Sequence, residues 1–328
     1  MNNVSLSYAQ AVAASLDEAM RLDASVVVLG EDVGRGGIFA QYKGLLEKFG
    51  DARVIDTPIS EATIMGAAVG MALTGLKPVV ELRVMDFALC SMDEIINQAA
   101  KNRFMFGGQG RVPVVIRMPI GIWASSAAQH SQSLEAWFTH VPGLVVVAPS
   151  NAQDNYALLQ SALASGDPVA YLEHKELWGV SMEVDTSLRI PLGKAAVARA
   201  GRDLTIVSWS KAVHWSLEAA TLLANEANGA LDVEVIDLRT LWPWDRETVL
   251  ASVAKTGRML VVHEAVQVAG FGAEISAVIA EESRSTVAPK IARLGAPRTP
   301  VGYAPILEAE ARISPEKIAS AARALMKR

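Results

Sequence analysis

This 328-residue chain has a single cysteine, no long apolar run and only a small net charge. Its only cysteine, Cys90, excludes an internal disulfide and fits a reducing cytoplasm. No apolar run approaches the roughly 18 to 20 residues that a membrane span needs. Residues 1–10 show neither a secretion signal nor an Arg-rich transit pattern. The net charge of -5, with scattered Lys and Arg, argues against a nucleic-acid surface. We therefore expect a cytoplasmic protein that binds neither membranes nor nucleic acid.

The signature motifs of several common enzyme classes are missing as well. There is no G-x-x-x-x-G-K-[ST] phosphate loop, and "GRGGIF" (34–39) lacks the spacing of a dinucleotide fingerprint. No G-x-S-x-G elbow occurs, so His130 beside Ser131 is a poor candidate for a serine hydrolase. No cluster of His, Cys and carboxylates has zinc spacing, and His263-Glu264 has no second histidine four residues on. These chemistries are set aside.

Short β-branched runs alternate with helical patterns along the whole chain. Strands that are apolar throughout are typical of a parallel sheet buried on both faces. The alternation predicts right-handed crossovers and an α/β architecture. In the first half we predict strands at 25–30, 77–82, 112–119 and 143–150, and helices at 61–75, 91–106 and 151–165.

A second α/β series follows a polar stretch at 179–193, which we interpret as an interdomain linker. The predicted domains are therefore residues 1–185 and 193–328, in line with a length that favours two cores. Hydrophobic residues make up 51% of the chain and charged residues 20%. This apolar balance predicts that a partner chain covers part of the surface.

The stretch 53–82 places a glutamate at the start of an almost wholly apolar helix. Pro58 fixes the entry of the chain, Ser60 is a candidate N-cap, and Glu61 falls in the first turn. An acid there is most often a helix-dipole carboxylate. The helix behind it carries Gly66 and Gly70 four residues apart, which lets another backbone approach closely, so we expect it to pack in an interface. A glutamate at its buried end must be paired, protonated or used in chemistry.

Several motifs together resemble one family over essentially the full chain. They are "GEDVG", "DTPISE", "GAAVGMALTGLKPVVE", "NQAAKNRFMFGGQ", "QHSQSLEAWFTHVPGL" and "PSNAQDNYALL", followed by "IDLRTLWPWD", "VVHEA" and "APRTPV". They look like the β-subunit of the thiamine-diphosphate-dependent component of 2-oxo acid dehydrogenase complexes, a group that includes pyruvate, branched-chain and acetoin dehydrogenases. The resemblance implies a pyrimidine-binding α/β domain followed by a transketolase C-terminal-like α/β domain.

The resemblance also implies roles for four residues. Glu61 matches the acid that hydrogen-bonds the cofactor's pyrimidine ring and promotes its imino form, and Phe87 matches the aromatic that packs against that ring. Glu31 resembles an acid near the cofactor, although a solvent carboxylate at a strand end is nearly as common. His130, in "HSQS", matches a histidine that donates a proton or hydrogen bond to the substrate-derived oxygen and the lipoyl acceptor. His140 is expected to be structural.

The resemblance further implies ligands and partners outside these four residues. The chain lacks the "GDG…N" segment that holds magnesium and the diphosphate in thiamine enzymes, so an α-subunit in an α2β2 heterotetramer is expected to supply it. A lipoyl-bearing acyltransferase core is the expected acyl acceptor. A monovalent cation, with potassium the expected ion, is held in the family through main-chain carbonyls, and the matching positions are Val114, Ala162, Leu163, Ser165 and Asp167.

Two other functions remain open at this point. One is the smaller chain of a split transketolase-like enzyme that acts on sugars. The "HSQS" segment favours the dehydrogenase instead, because we identify no phosphate-binding Arg and His set for a sugar substrate. A non-catalytic scaffolding homologue is the third possibility, and the presence of both Glu61 and His130 argues against it. The segments "VVIRMPIG", "AAQHSQS" and "LEHKELW" favour pyruvate or acetoin as substrate. His263 and Glu264 are expected to serve an interface.

Overall fold

The computed structural model describes residues 3–227, 230–283 and 287–327. Two compact units divide the chain: the first comprises Met1–Ile120 and Trp137–Leu192, and the second comprises Gly121–Ala136 and Gly193–Arg328. Residues 121–136 thus belong with the second unit although they lie inside the first sequence-predicted domain. The boundaries 1–185 and 193–328 did not foresee this exchange and stay a prediction.

Strands and helices alternate in both units. The strands are Asn3–Ser7 (β1), Val26–Gly30 (β2), Val54–Asp56 (β3), Lys77–Glu81 (β4), Val115–Ile120 (β5), Val145–Val147 (β6), Val169–His174 (β7), Ser181–Asp185 (β8), Ala196–Arg199 (β9), Leu204–Ser208 (β10), Val233–Asp237 (β11), Thr240–Trp242 (β12), Arg258–Val266 (β13) and Lys290–Ala296 (β14). The helices are Tyr8–Leu22 (α1), Leu45–Phe49 (α2), Glu61–Leu73 (α3), Ala100–Met105 (α4), Glu135–Thr139 (α5), Ala152–Ala164 (α6), Lys211–Ala224 (α7), Arg246–Thr256 (α8), Phe271–Glu282 (α9), Pro305–Ala311 (α10) and Pro315–Met326 (α11).

The first unit is built on a parallel sheet with the strand order β6-β7-β5-β4-β2-β3. Helices α1 and α6 pack on each other and share one apolar core with alternate residues of the strands, such as Val28 and Val115. Helix α3 packs against β4 and β2. Because parallel strands end at the same edge, the loops that follow β2, β3 and β4 emerge side by side.

The second unit is built on a sheet with the strand order β14-β13-β10-β11-β9. Its strands are parallel except β9, which pairs antiparallel with β11. Helices α7 and α11 pack together against the inner strands around Ile206, Val235 and Leu260.

Local sequence signals explain where several helices begin. Ser7 and Gln10 form a reciprocal capping box at α1. The side chain of Asn151 caps α6, and that of Asp245 caps α8. At α11, Ser314 caps the helix and Pro315 occupies its first turn. These side chains accept hydrogen bonds from first-turn N–H groups that have no partner inside the helix.

The predicted α/β alternation is confirmed, with two local corrections. The stretch predicted as one α-helix at 91–106 instead contains a π-helical turn, Glu94–Ala99, followed by the short α4. In that turn the N–H of Ala100 donates to the carbonyl of Ile95, five residues back. The polar stretch 179–193 is not merely a linker, because it contains β8, which pairs antiparallel with β1.

Candidate functional site

Three of the predicted site residues lie at the carboxyl edge of the first unit's sheet. Glu31 directly follows β2, Glu61 begins α3 after the loop that leaves β3, and Phe87 follows β4. Strand β2 lies between β3 and β4, with Gly30 in register with both Asp56 and Glu81. The three residues therefore come from adjacent strand ends, where open α/β sheets place their ligands.

The "GEDVG" turn packs too closely on its neighbours for side chains at its glycines. Gly30 has a φ of +151°, and a Cβ there would lie 2.6 Å from the carbonyl oxygen of Glu81. The N–H of Gly34 donates to Oδ1 of Asp56 at 2.7 Å, and a Cβ on Gly34 would lie 2.6 Å from that carboxylate's other oxygen. These contacts fix the loop that carries Glu31.

Glu31 and Glu61 act on each other electrostatically. Partial burial is the main cause that raises the pKa of Glu31, and the negative charge of Glu61 raises that pKa further. The Arg83 guanidinium opposes both effects. Two carboxyl groups that share a partly dry site favour a proton on one of them. Glu31 therefore takes up a proton more readily than an isolated glutamate does.

Helix α3 differs from its predicted form at the cap. Ser60 is the N-cap residue by position, but its side chain makes no cap hydrogen bond. Its hydroxyl donates to Oγ1 of Thr63 at 2.8 Å instead. Glu61 lies in the first turn and is half-buried. Farther along, Gly66 and Gly70 are exposed, and nothing lies within 4 Å of a Cβ built at Gly70. This face of the helix is open in the single chain.

Phe87 lies in a 3-10 segment, Met85–Ser91, that packs beside α3. Its ring is half-buried, whereas the flanking Asp86 and Ala88 are buried. The backbone N–H of Phe87 donates to the carbonyl of Val84 at 3.1 Å. A half-buried aromatic at a strand end can offer one face to a planar ligand.

His130 lies in the segment 121–136 and belongs to the second unit. Its side chain is exposed, and its backbone N–H donates to the carbonyl of Ala127 at 3.4 Å. His140 is exposed directly after α5. The expectation that His263 serves an interface is wrong, because its ring is fully buried inside the second unit and stacks on Trp209. Burial lowers the pKa of His263 to about 4.

The predicted carbonyl ligands of a monovalent cation surround the turn after α6. The carbonyl of Val114 accepts from the N–H of Val169 at 2.9 Å. The hydroxyl of Ser165 lies 2.8 Å from the carbonyl oxygen of Ala162 and 3.3 Å from that of Asp167, while Leu163 lies in the last turn of α6. One hydroxyl thus lies among oxygen atoms that the prediction assigned to the cation.

A buried charged cluster under this edge was not predicted. Arg117 is fully buried, forms an ion pair with Glu81 at 3.2 Å and contacts Glu173 at 2.5 Å. Tyr42 donates to Oε2 of Glu81 at 2.5 Å, and Asn155 donates to Glu173 at 3.0 Å. The only sequence signal is a charged residue inside each of three apolar strand runs.

Known proteins with similar sequences cover almost the whole chain. A family model described as "Transketolase, pyrimidine binding domain" matches residues 4–180, and one described as "Transketolase, C-terminal domain" matches residues 193–318. The acetoin:2,6-dichlorophenolindophenol oxidoreductase subunit beta of Cupriavidus necator is 43% identical, over 98% of both chains. The chain belongs to the family of thiamine-diphosphate-dependent dehydrogenase β-subunits.

Other members of this β-subunit family are similarly close. The mitochondrial pyruvate dehydrogenase E1 component subunit beta-2 of Oryza sativa is 43% identical over 96% of this chain and 84% of the relative. The 2-oxoisovalerate dehydrogenase subunit beta of Bacillus subtilis is 38% identical over 98% of each. The family resemblance predicted from the motifs is thereby confirmed.

A solved structure shares the fold of this family member. A split gene transketolase, described as an inactive beta4 tetramer, superimposes with a TM-score of 0.81 at 22% identity and covers 98% of each chain. Among the described residues, no helix is both long enough and apolar enough to cross a membrane. Across the same ranges, no group of three or more His, Cys, Asp and Glu side chains is arranged to hold a metal ion.

Proposed function

We propose that this chain is the β-subunit of an α2β2 thiamine-diphosphate enzyme that oxidatively decarboxylates a 2-oxo acid, or cleaves acetoin, and passes the acyl group to a lipoyl domain. One observation carries the proposal. Glu31, Glu61 and Phe87 leave adjacent parallel strands at one sheet edge, and the charge of Glu61 helps to raise the pKa of Glu31. The β-subunit relatives support a partner chain and this substrate class.

The residues at the sheet edge fit the pyrimidine half of thiamine diphosphate. When bound, the cofactor supplies a thiazolium carbon that reacts as a carbanion. Glu61, half-buried at the start of α3, would hold a hydrogen bond to the pyrimidine ring nitrogen, and Phe87 would cover the ring face. Glu31, whose pKa is raised by partial burial and by the charge of Glu61, would lie near the cofactor.

His130 would provide the proton that the acyl chemistry needs. Its exposed imidazole lies in a polar turn and is accessible to a substrate or to an incoming lipoyl group. An imidazole has two ring nitrogens that can donate or accept, so it can give a proton to the substrate-derived oxygen and later take one back. In this proposal Glu61 acts on the cofactor and His130 acts on the substrate-derived oxygen.

The diphosphate and its magnesium are assigned to the α partner. An open, small-residue face on α3 supports a close contact with another chain, since Gly66 and Gly70 are exposed there. Large apolar side chains that a single chain exposes point the same way, among them Ile59 at 78%, Phe104 at 85% and Met105 at 73%. The exposed thiol of Cys90 supports a reducing compartment such as the cytoplasm.

A monovalent cation, with potassium the expected ion, would bind at the turn after α6. The carbonyl oxygens of Ala162 and Asp167 already lie within 3.3 Å of the Ser165 hydroxyl. Ser165 would therefore have to rotate away, or offer its own oxygen as a ligand. The carbonyl ligands are otherwise compatible with the hard cations that prefer oxygen.

The test is a substrate screen with the reconstituted pair of subunits. We expect reduction of an artificial electron acceptor with pyruvate, another 2-oxo acid or acetoin, and acyl transfer to a lipoyl domain. Glu61→Gln should lower turnover by roughly 100- to 10,000-fold, the usual cost of losing a positioned acid. Glu47→Gln on the exposed face of α2 is the control. Activity of Glu61→Gln within threefold of wild type would remove Glu61 from the mechanism.

The competing functions give different outcomes in the same screen. Turnover of ketose phosphates without any activity on 2-oxo acids or acetoin would favour the hypothesis of a split transketolase-like enzyme. No turnover of any substrate by a correctly assembled, cofactor-loaded pair would favour a scaffolding role.

A further inference from the structure

The loop that carries His130 is anchored to the second unit at several points along its length. Residues 121–136 follow β5 and group with the second unit rather than with the sheet that they leave. The N–H of Gly121 donates to the carbonyl of Gln132 at 3.3 Å, which closes the base of the loop. The side chain of His130 is exposed, and the backbone of this loop determines where its Cα lies.

That backbone is strained. Ala124, Ser125 and Ala127 have φ angles of +49°, +55° and +60°. Residues with a Cβ rarely adopt this left-handed region, because their Cβ approaches the backbone too closely there. Strain of this kind persists only where the surroundings hold it in place. The loop therefore needs external contacts to keep His130 where it is.

Glu308 makes one such contact at the middle of the strained run. One of its carboxylate oxygens accepts the backbone N–H of Ser125 at 2.7 Å. The other accepts Nε and Nη2 of Arg312 at 3.1 Å and 2.9 Å, which orients the carboxylate. Glu308 lies on α10 and is 7% exposed. A charged, nearly dry acceptor makes a stronger hydrogen bond than a neutral one.

Two further side chains hold the ends of the loop. Oε2 of Glu264, at the end of β13, accepts the N–H of Ile122 at 3.3 Å and the hydroxyl of Ser133 at 3.4 Å. The indole N–H of Trp209 donates to Glu135 at 3.0 Å. The anchored positions therefore lie on both sides of His130.

We propose that Glu308, assisted by Glu264, is a positioning residue for His130. It does not touch the substrate; it accepts the N–H of Ser125 and so maintains the backbone conformation from which His130 acts. The proposal rests on the proposed catalytic role of His130. It assigns a function to two acids that are far from His130 in the sequence.

The decisive experiment is a double-mutant cycle between Glu308 and His130 in the reconstituted complex. Glu308→Ala should lower kcat by roughly 10- to 100-fold and change KM by less than threefold, because misplacement by about 1 Å can cost that much. In a His130→Ala background, Glu308→Ala should have no more than a twofold further effect. Glu308→Gln keeps an oxygen acceptor and should retain activity within about fivefold of wild type.

Hydrogen exchange gives a readout that does not depend on activity. The amide of Ser125 should exchange slowly in the wild type and quickly in Glu308→Ala, with segments of the second unit other than 121–136 and α10 unchanged. Glu234→Gln is the matched control, because Glu234 is also nearly buried in this unit but bonds Ser252 and Lys255. It should leave exchange across 121–136 as in the wild type.

The outcomes separate this proposal from the one on which it rests. An undiminished Glu308→Ala effect in the His130→Ala background, or unchanged exchange at Ser125, would overturn the positioning role. Wild-type activity of His130→Ala would refute the catalytic role of His130, and Ser125 exchange would still decide whether Glu308 anchors the loop.

Discussion

Replacement of Glu81 by glutamine should change how the stability of the first unit depends on pH. Glu81 is 5% exposed and contacts Arg117, Tyr42 and Gln41. Burial is the largest influence and, despite the opposing charge of Arg117, raises the pKa of Glu81 to about 7. The cluster holds two carboxyl groups, Glu81 and Glu173, around one guanidinium. One carboxyl is therefore in excess.

The sign of the pH effect follows from that raised pKa. In the unfolded chain a glutamate loses its proton near pH 4.5, whereas folded Glu81 keeps its proton until about pH 7. The folded state thus binds more protons between these values, so stability falls as the pH rises from 4.5 to 7. The difference corresponds to ~3 kcal/mol, which is fully lost above pH 7.

Glu81→Gln removes this titration and keeps a side chain of similar shape. Its amide oxygen can still accept from Tyr42, while its NH2 group takes the place of the oxygen that accepted from Gln41. Glu173 alone then balances Arg117. Relative to the wild type, the variant should gain ~3 kcal/mol of unfolding free energy between pH 4.5 and 7. Urea unfolding at half-unit pH steps from 4.5 to 8 measures this gain, and Glu47→Gln controls for the substitution itself.

Parallel pH profiles for wild type and Glu81→Gln would refute the reasoning, because they would mean that Glu81 titrates alike in both states. A second variant tests the charge balance. Arg117→Met leaves two buried carboxyl groups without a cation and should destabilise the unit by ~3–5 kcal/mol at pH 8. The loss should shrink as the pH falls and the carboxyl groups take up protons.

Three further predictions address the cofactor, a buried histidine and a glycine. Calorimetry on the purified chain should show no micromolar, magnesium-dependent binding of thiamine diphosphate until an α partner is added; such binding by the chain alone would contradict the half-site proposal. The lowered pKa of His263 contributes ~3 kcal/mol of unfolding free energy that is present above pH 6.5 and is lost as the pH falls to 4. His263→Gln should therefore remove this loss of stability at acid pH. If the unfolding free energy of the variant fell between pH 6.5 and 4 as much as that of the wild type, the prediction would be contradicted. Gly30→Ala should cost ~2 kcal/mol or more, because its Cβ would lie 2.6 Å from the carbonyl oxygen of Glu81. Gly75 has a φ of +100°, but nothing lies within 4 Å of a Cβ built there, so Gly75→Ala should cost about 1 kcal/mol. Equal losses of stability in the two variants would argue against the clash at Gly30.

The strands were the most predictable part of the fold. Those predicted at 25–30 and 77–82 are observed at Val26–Gly30 and Lys77–Glu81. A strand buried on both faces must be apolar along its whole length, and no other short element requires that pattern. The helix predicted at 91–106 is observed as helical backbone over residues 92–105, but its π-helical turn was not predicted, because such a turn depends on packing that the residue pattern does not encode.

The buried charged cluster shows why part of the interior could not be predicted. Glu81, Arg117 and Glu173 lie on β4, β5 and β7, which are neighbours in the sheet but far apart in the sequence. Each residue alone interrupts an apolar run and gives no sign of its partners. Only the strand order and register bring opposite charges together.

The candidate site was predictable residue by residue but not as an arrangement. The motifs identified Glu31, Glu61 and Phe87, and strand adjacency explains why they emerge at one edge. Their catalytic roles stay predictions. The electrostatic link between Glu31 and Glu61 depends on the distance between two loops, which a linear pattern does not contain.

The segment 121–136 is the part whose place in the fold the sequence does not indicate. By sequence it continues the first predicted domain, yet its hydrogen bonds to Glu264 and Glu308 place it with the second unit. The residues of "GIWASSAAQHSQS" do not predict these hydrogen bonds, because the acceptors lie more than 130 residues farther along the chain. The left-handed backbone at Ala124 and Ser125 has the same origin, since such strain needs contacts from outside the segment. If His130 is catalytic, substitutions in the second unit can therefore alter turnover while every residue at the carboxyl edge of the first unit stays the same.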